Sequence, residues 1–389
     1  MKQIFITMPH VMLKRGVFSI GLFLTSHHSN CLRLHMTKNV GKVLFAQRQC
    51  HVQCQTGQDR RLNVMFFGTD HFSLPHLQLM EESRQNGHLI DKLEVVVPQS
   101  TFIKRRGKTR KASPVWEFCQ EQHLTCHQWP LDDNISGFDV GITVSFGHLL
   151  PEWLIKSFPL GILNVHPSLL PRWRGGAPIQ HTILNGDEVT GVSIMRIQPH
   201  RFDVGPILLQ REYNVPSNST TISLTHHLAK KGSEMLSEVL HNLTWFIEHE
   251  MPQREEGATL GLKIPNKLAW IDWGATSQDI YRLYRAIGEQ MPLKTLFGGE
   301  EMRLEQMVPP ADCSDLPIYE GDEPGLISFP KNKSIIHVRC KDGWVGFCSI
   351  SPIGRKRMTA KEFYNGYLSG RRRDDEERRC FRNHDATNR

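Results

Sequence analysis

Four short apolar runs fix the outline of what this chain can become. Asn63-Val-Met-Phe-Phe67, Lys92-Leu-Glu-Val-Val-Val97, Phe138-Asp-Val-Gly-Ile-Thr-Val144 and Gly161-Ile-Leu-Asn-Val165 are strand-length and rich in β-branched and aromatic residues. The first runs into Gly68-Thr-Asp70 and then a helix expected over about 72–86, and Pro98 stops the second. Near-continuous apolar strands alternating with helical stretches predict a Rossmann-like parallel sheet buried on both faces. Gly68 belongs to no G-x-G-x-x-G pattern, which disfavours a nicotinamide cofactor.

The fourth run continues into the segment richest in chemistry, Asn164-Val-His-Pro-Ser-Leu-Leu-Pro-Arg-Trp-Arg-Gly-Gly-Ala-Pro178. On a strand Asn164 and His166 share one face. Pro167 cannot continue a central ladder, so the strand ends at His166, and ligands of such sheets bind at the carboxyl ends of strands. An amide can donate to a developing oxyanion and an imidazole can donate or shuttle a proton. Downstream, Thr190-Gly-Val-Ser-Ile-Met195 reads as a strand leading through Arg201-Phe-Asp-Val-Gly205 to Ile207-Leu-Leu209. If that turn folds over His166, Asp203 can orient the ring and hold its charge. Taken singly, Asn164 and Asp203 also suit ordinary turns, and His166 suits a buried hydrogen-bonding role.

Residues 257–267 read as a connection between domains. A helix is expected over 272–289, with Ile280, Leu283, Tyr284 and Ile287 on one face. Beyond Pro292, short β-like pieces at 326–329, 334–339 and 344–350 suggest a small OB-like barrel. The expected organisation is a leader over 1–60, an α/β domain over 61–254, a linker over 255–269, the barrel over 270–370 and a frayed charged tail over 371–389.

Charge is informative through its placement. Lys and Arg number 47 against 40 acids, and the whole excess of +7 lies in residues 1–60, which hold eight basic residues and the single acid Asp59. Basic, hydroxylated and acid-poor sequence is the mark of an organelle transit peptide, with a secretory signal or a disordered extension as the other readings of the leader. A second block, Lys104-Arg-Arg-Gly-Lys-Thr-Arg-Lys111, is six-eighths basic in an otherwise balanced region, so it is expected to form an exposed loop suited to phosphates. The nine cysteines include no C-x-x-C pair, and there is no H-E-x-x-H, so neither a disulfide framework nor a zinc site is indicated. No apolar run approaches the roughly 20 residues that a spanning helix needs.

Asn164-Val-His166 followed by Ser168-Leu-Leu-Pro-Arg-Trp-Arg-Gly175 closely resembles the formyl-transfer motif of methionyl-tRNA formyltransferases. Phe67-Gly-Thr69, Ala177-Pro-Ile-Gln180, Thr190-Gly-Val192 and Ile271-Asp-Trp273 support the resemblance, which covers about 62–368. The basic leader and the Arg201–Pro206 stretch look like the vertebrate mitochondrial form. Pro206 stands where bacterial members commonly have an acid, yet Asp203 is present.

The resemblance implies a catalytic triad of Asn164, His166 and Asp203, with folate contacts from Ser168, Leu169, Leu170 and Pro171. It implies tRNA contacts from Lys104, Arg105, Arg106, Lys108, Arg110 and Lys111, joined by Arg172 and Arg174. The expected activity is transfer of the formyl group of 10-formyltetrahydrofolate to the α-amine of initiator methionyl-tRNA. The enzyme would be a monomer in the mitochondrial matrix, with no metal and no membrane segment. Two other readings share some of these features: a formyltransferase acting on a small amine, and a non-catalytic tRNA-binding protein. The Pro-Arg-Trp-Arg segment, the cationic loop and the second domain favour tRNA over a small amine.

Overall fold

The computed structural model describes residues 61–98, 112–132, 135–319, 323–330, 334–369 and 379–384. The leader 1–60 and the basic loop 104–111 lie outside the described residues.

The α/β domain opens with β1 (Leu62–Gly68), α1 (Leu74–Gln85) and β2 (Ile90–Pro98). After these come α2 (Pro114–Glu121), β3 (Cys126–Trp129), β4 (Val140–Val144), α3 (Glu152–Lys156) and β5 (Ile162–His166). It continues through α4 (Pro178–Leu184), β6 (Val189–Arg196), β7 (Ile207–Asn214), α5 (Thr221–His241) and α6 (Leu243–Glu248). Seven described strands form one sheet in the order β3-β2-β1-β4-β5-β6-β7. The chain thus builds outward from β1 to β3, then returns past β1 to begin the other half at β4. The carboxyl ends of β1 and β4 flank that reversal, where the Thr69 hydroxyl donates to the Ser145 carbonyl at 2.9 Å.

The four runs foreseen as strands are strands, and those at β1, β2, β4 and β5 pair in parallel. The expected Rossmann-like parallel sheet is present, and it carries an antiparallel extension at one edge. β6 is antiparallel to both β5 and β7. No helix returns the chain between β6 and β7; they form an antiparallel pair, which needs no crossover.

Alternation along β1 sends Val64 and Phe66 to one core and Met65 and Phe67 to another, so both faces of the sheet are covered. On the first face lie α1 and α5. Asp70 Oδ1 accepts from the amides of Phe72 and Ser73 at 3.0 Å each, turning the chain from β1 into α1. A Thr220/Ser223 capping box starts α5, whose Leu224, Leu228, Met235 and Val239 are buried at helical spacing.

The second domain begins with α7 (Ser277–Leu283), prolonged by a π-helical turn over Tyr284–Gly288. Ile280 and Ile287 are buried there as the spacing required. Its sheet holds β8 (Leu293–Phe297), β9 (Glu300–Val308), β10 (Ile327–Ser328), β11 (Ile336–Arg339), β12 (Trp344–Pro352) and β13 (Met358–Thr359). These pair antiparallel in the order β10-β11-β12-β9-β8, with β13 on β12, as an open half-barrel. Part of the tail expected to fray is docked. Phe381 is fully buried and stacks on Trp273 at 5.9 Å, while Arg382 bridges to Leu296 and Cys380 to Leu326. Apolar surface in Cys380-Phe381 outweighs the charge around it.

His76 sits between α1 and α5, fully buried, with Nδ1 2.9 Å from the Phe72 carbonyl. Burial pushes its pKa from the usual 6.5 down to about 4. The unfolded chain therefore takes up a proton that the folded chain refuses. Stability is expected to fall as pH drops from about 6.5 toward about 4, by up to roughly 3 kcal/mol. Urea unfolding of the parent and His76→Leu across this range checks it; the variant should show the flatter curve, and equal slopes would refute the assignment.

Candidate active site

Asn164 and His166 sit two residues apart on β5 and face the same side, next to the cleft at the carboxyl ends of β1 and β4. Asp203 reaches them from the β6–β7 connection. β6 runs opposite to β5, so this connection leaves beside the start of β5 and folds back over it. His166 and Asp203 are buried, 5% and 9% exposed, and Asn164 is half-buried. Asn164 Nδ2 donates to Asp203 Oδ1 at 3.1 Å, and the Gly175 amide donates to Oδ2 at 2.9 Å. The turn that the sequence only allowed is the one that forms, bringing the three expected side chains together.

His166 Nδ1 lies 3.7 Å from Asp203 Oδ1, too far for a hydrogen bond. Its Nε2 meets the Trp173 carbonyl at 2.9 Å. Only an N–H can satisfy that carbonyl, so the neutral ring carries its proton on Nε2 and turns the Nδ1 lone pair toward the carboxylate. Protonation at Nδ1 would create an imidazolium beside Asp203.

Thr143 is a polar residue in an otherwise apolar central strand and is 4% exposed. Its hydroxyl is 3.1 Å from Asn164 Oδ1 and 3.1 Å from the Leu163 carbonyl. A hydroxyl has one hydrogen; given to Oδ1, it holds the amide with its N–H groups toward Asp203 and the cleft. One of those N–H groups serves Asp203, and the amide's other N–H is the natural donor to a substrate oxygen.

The Ser168–Pro171 segment turns largely inward. The Ser168 hydroxyl donates to the Arg172 carbonyl at 2.6 Å, Leu170 is buried, and the Leu170-Pro171 peptide is cis. Leu169 and Pro171 remain half-buried. Arg172 makes a bidentate pair with Asp187, at 3.0 and 2.6 Å, and lies 4.3 Å over the Trp173 ring. Arg174 differs from its expected tRNA-facing role. It is 6% exposed and bonds Gln253 through two nitrogens and Glu255 through the third. The reason is local: its backbone pairs with the Thr259–Gly261 strap, which draws the side chain inward. The basic residues Lys104, Arg105, Arg106, Lys108, Arg110 and Lys111 lie outside the described residues.

The carboxyl end of the sheet also carries aromatic side chains that the sequence did not single out. Phe146 packs edge-on against Phe67 and Trp129, each at 5.4 Å, and lies 5.2 Å from His148. They form an aromatic cluster, buried at Phe67 and Phe146, beneath that end of the sheet. Among the described residues no group of three or more His, Cys, Asp or Glu is placed to hold a metal ion.

A Rossmann-like domain followed by an antiparallel half-barrel is the arrangement of a formyl transferase. The formyl transferase family model matches residues 62–240, and the formyl transferase C-terminal domain matches 263–368. The chain is 45% identical over 312 residues to human mitochondrial methionyl-tRNA formyltransferase, covering 78% of this chain and 77% of that protein. It is 33% identical to methionyl-tRNA formyltransferase of Methylococcus capsulatus, covering 80% of this chain and 99% of that one. HypX from Aquifex aeolicus, solved in complex with tetrahydrofolic acid, shares the fold at 16% identity with a TM-score of 0.54; the match covers 80% of this chain and 48% of HypX. The chain belongs to the methionyl-tRNA formyltransferase family.

Thr143→Val keeps the side-chain shape and removes the donor. It should lower kcat about 3- to 10-fold, the loss expected of one modest hydrogen bond, with KM little changed. Thr143→Ser should restore the rate. Steady-state kinetics of the two variants decide it, and a valine variant at the parent rate would remove Thr143 from the site's support.

Proposed function

We propose that this chain transfers the formyl group of 10-formyltetrahydrofolate to the α-amine of methionyl-tRNA, giving N-formylmethionyl-tRNA for initiation of mitochondrial translation. The observation that carries the reading is the convergence of Asn164, His166 and Asp203 on one point of the sheet's carboxyl edge. Relatives named for this activity, in bacteria and in mitochondria, support the tRNA substrate over a small amine.

The nucleophile is a neutral α-amine, which titrates near 7.7–8.0 and is usably deprotonated at physiological pH. It attacks the formyl carbon, and charge develops on the formyl oxygen. The Asn164 amide stabilises that oxyanion, at roughly 3–4 kcal/mol for a good donor, and a His166 protonated at Nδ1 adds positive charge nearby. Asp203 stabilises the imidazolium and accepts the proton that the amine sheds, directly or through water. The new C–N bond forms, the bond from carbon to the folate nitrogen breaks, and that nitrogen takes up the proton held by Asp203, directly or through water. Folate lies along Leu169 and Pro171, while Ser168 and Leu170 support the segment from within.

The tRNA is held by local fields, since the chain beyond residue 60 is neutral overall. The 104–111 loop supplies the principal cations, with the outer face of Arg172 beside the site. The leader 1–60 directs the protein to the matrix; its basic, acid-poor composition and the mitochondrial relatives support this.

The chain from residue 61, given methionyl-tRNA and 10-formyltetrahydrofolate, should yield formylmethionyl-tRNA. His166→Ala and Asp203→Ala should each lower kcat at least about 100-fold. Folded protein that binds tRNA and never turns over would favour a binding module, and activity only on small amines would favour the other formyltransferase reading. In a separate measurement, replacing the six basic residues of 104–111 with Gln should weaken tRNA binding and flatten its dependence on salt. An unchanged salt slope would sink the loop assignment.

A further inference from the structure

We infer that Gln253 and Arg174 form a clamp on the backbone of Asp203, which makes the chain leaving the α/β domain a working part of the active site. The inference rests on the catalytic reading of Asp203 given above.

Asp203 holds its carboxylate in place from an awkward backbone. Its φ is 54°, a left-handed conformation that L side chains seldom adopt. Two residues on, a Cβ at Gly205 would stand 1.8 Å from the Arg196 carbonyl oxygen, so the turn is pressed against the end of β6. A turn in this state needs outside support, and its buried carbonyls need donors. Gln253 Nε2 supplies both, donating to the Asp203 carbonyl at 3.0 Å and the Gly205 carbonyl at 2.8 Å.

The other end of the Gln253 amide is equally committed. Its Oε1 accepts from Arg174 Nε at 3.2 Å and Nη2 at 3.0 Å. Every hydrogen-bonding capacity of that side-chain amide is therefore used, which fixes its orientation. Arg174 is held in turn by Glu255 at 3.0 Å, and the guanidinium keeps the Glu255 carboxyl below the usual range. The Arg174 amide donates to the Thr259 carbonyl at 2.9 Å, and its carbonyl accepts from the Gly261 amide at 2.7 Å.

Arg174-Gly175 thus grips Asp203 twice. The Gly175 amide holds the carboxylate, and the Arg174 side chain holds Gln253, which holds the main chain. Gly175 has φ 118°, and a Cβ there would come within 2.9 Å of the Gly261 carbonyl, so the strap lies as close as backbone allows. Gln253 touches no reacting atom in this arrangement. It is a positioning residue for Asp203, and Arg174 is a positioning residue for Gln253. Small displacements of a charged group in a catalytic site are enough to lower the rate strongly.

The test uses the full chain with Gln253→Glu, Gln253→Leu, Arg174→Met and the Arg174→Met/Gln253→Leu double variant. Glu at 253 keeps the acceptor for Arg174 and surrenders both N–H donors, so it isolates the grip on Asp203. Each single variant should lower kcat about 10- to 100-fold, with KM for folate and tRNA within about threefold of the parent. The salt dependence of tRNA binding should not move. The double variant should be no slower than the slower single, because the two residues act as one unit. Hydrogen–deuterium exchange of the ligand-free proteins should rise across residues 196–207 in all variants. Exchange needs no turnover, so a parent without activity overturns the functional reading, whereas unchanged exchange in the variants overturns the clamp. The clamp also fails if kcat stays within about threefold of the parent in both Gln253 variants. A fall in tRNA affinity and salt slope at intact kcat in Arg174→Met would return Arg174 to the tRNA surface and refute its role here.

Discussion

A carboxylate taken out of water costs free energy unless donors meet it, and Asp203 is nine-tenths buried. Its donors are an amide from a strand and a main-chain N–H from the loop after that strand, with the His166 ring 3.7 Å away. None of these is near it in sequence. Holding them together requires β5 to stop at His166, the following loop to fold back so that Gly175 faces inward, and the β6–β7 connection to double over the sheet. Much of the local architecture around the cleft can be read as the consequence of keeping one negative charge buried and paired.

The two halves of the sheet divide that work. The parallel half, β1 to β5, opens the cleft where strand order reverses and presents Asn164 and His166 at its edge. The antiparallel half brings in the third group, since a strand running against β5 delivers its connection to the wrong end and forces it to return across the face. That return is where the left-handed backbone and the close contact at Gly205 arise. An all-parallel continuation would have sent the chain into another crossover helix and away from His166.

The features that were legible in the sequence were the local ones. Strand-length apolar runs located β1, β2, β4 and β5, and Pro167 located the end of β5. The spacing of Asn164 and His166 put them on one face, and the motif around them carried the resemblance. The direction of β6 was not legible, because a strand reads the same in either orientation. The β8–β9 hairpin escaped notice although Gly298-Gly299 separates two alternating stretches, and β3 is only four residues long. Thr143 could have been questioned as a hydroxyl in a buried strand. Gln253 could not, because its partners lie some 50 residues away and nothing local distinguishes a glutamine in Pro-Gln-Arg. Arg174 shows the opposite hazard: a basic residue in a functional motif invites assignment to an anionic ligand, and here its charge is used internally.

The docked tail bears on the order in which the molecule can be finished. Phe381 follows all the described strands of the second domain in sequence and fills its interior against Trp273, Phe297 and Phe363. Proteins are synthesised from the amino end, and domains close as their chain becomes available. The α/β domain has all its strands long before Phe381 is made, whereas the second domain lacks part of its interior until that residue emerges. A chain passed through a membrane amino end first would meet the same schedule on the far side. Completion of the second domain therefore waits on residue 381, and a chain cut before Cys380 would carry a finished α/β domain beside an unfinished one.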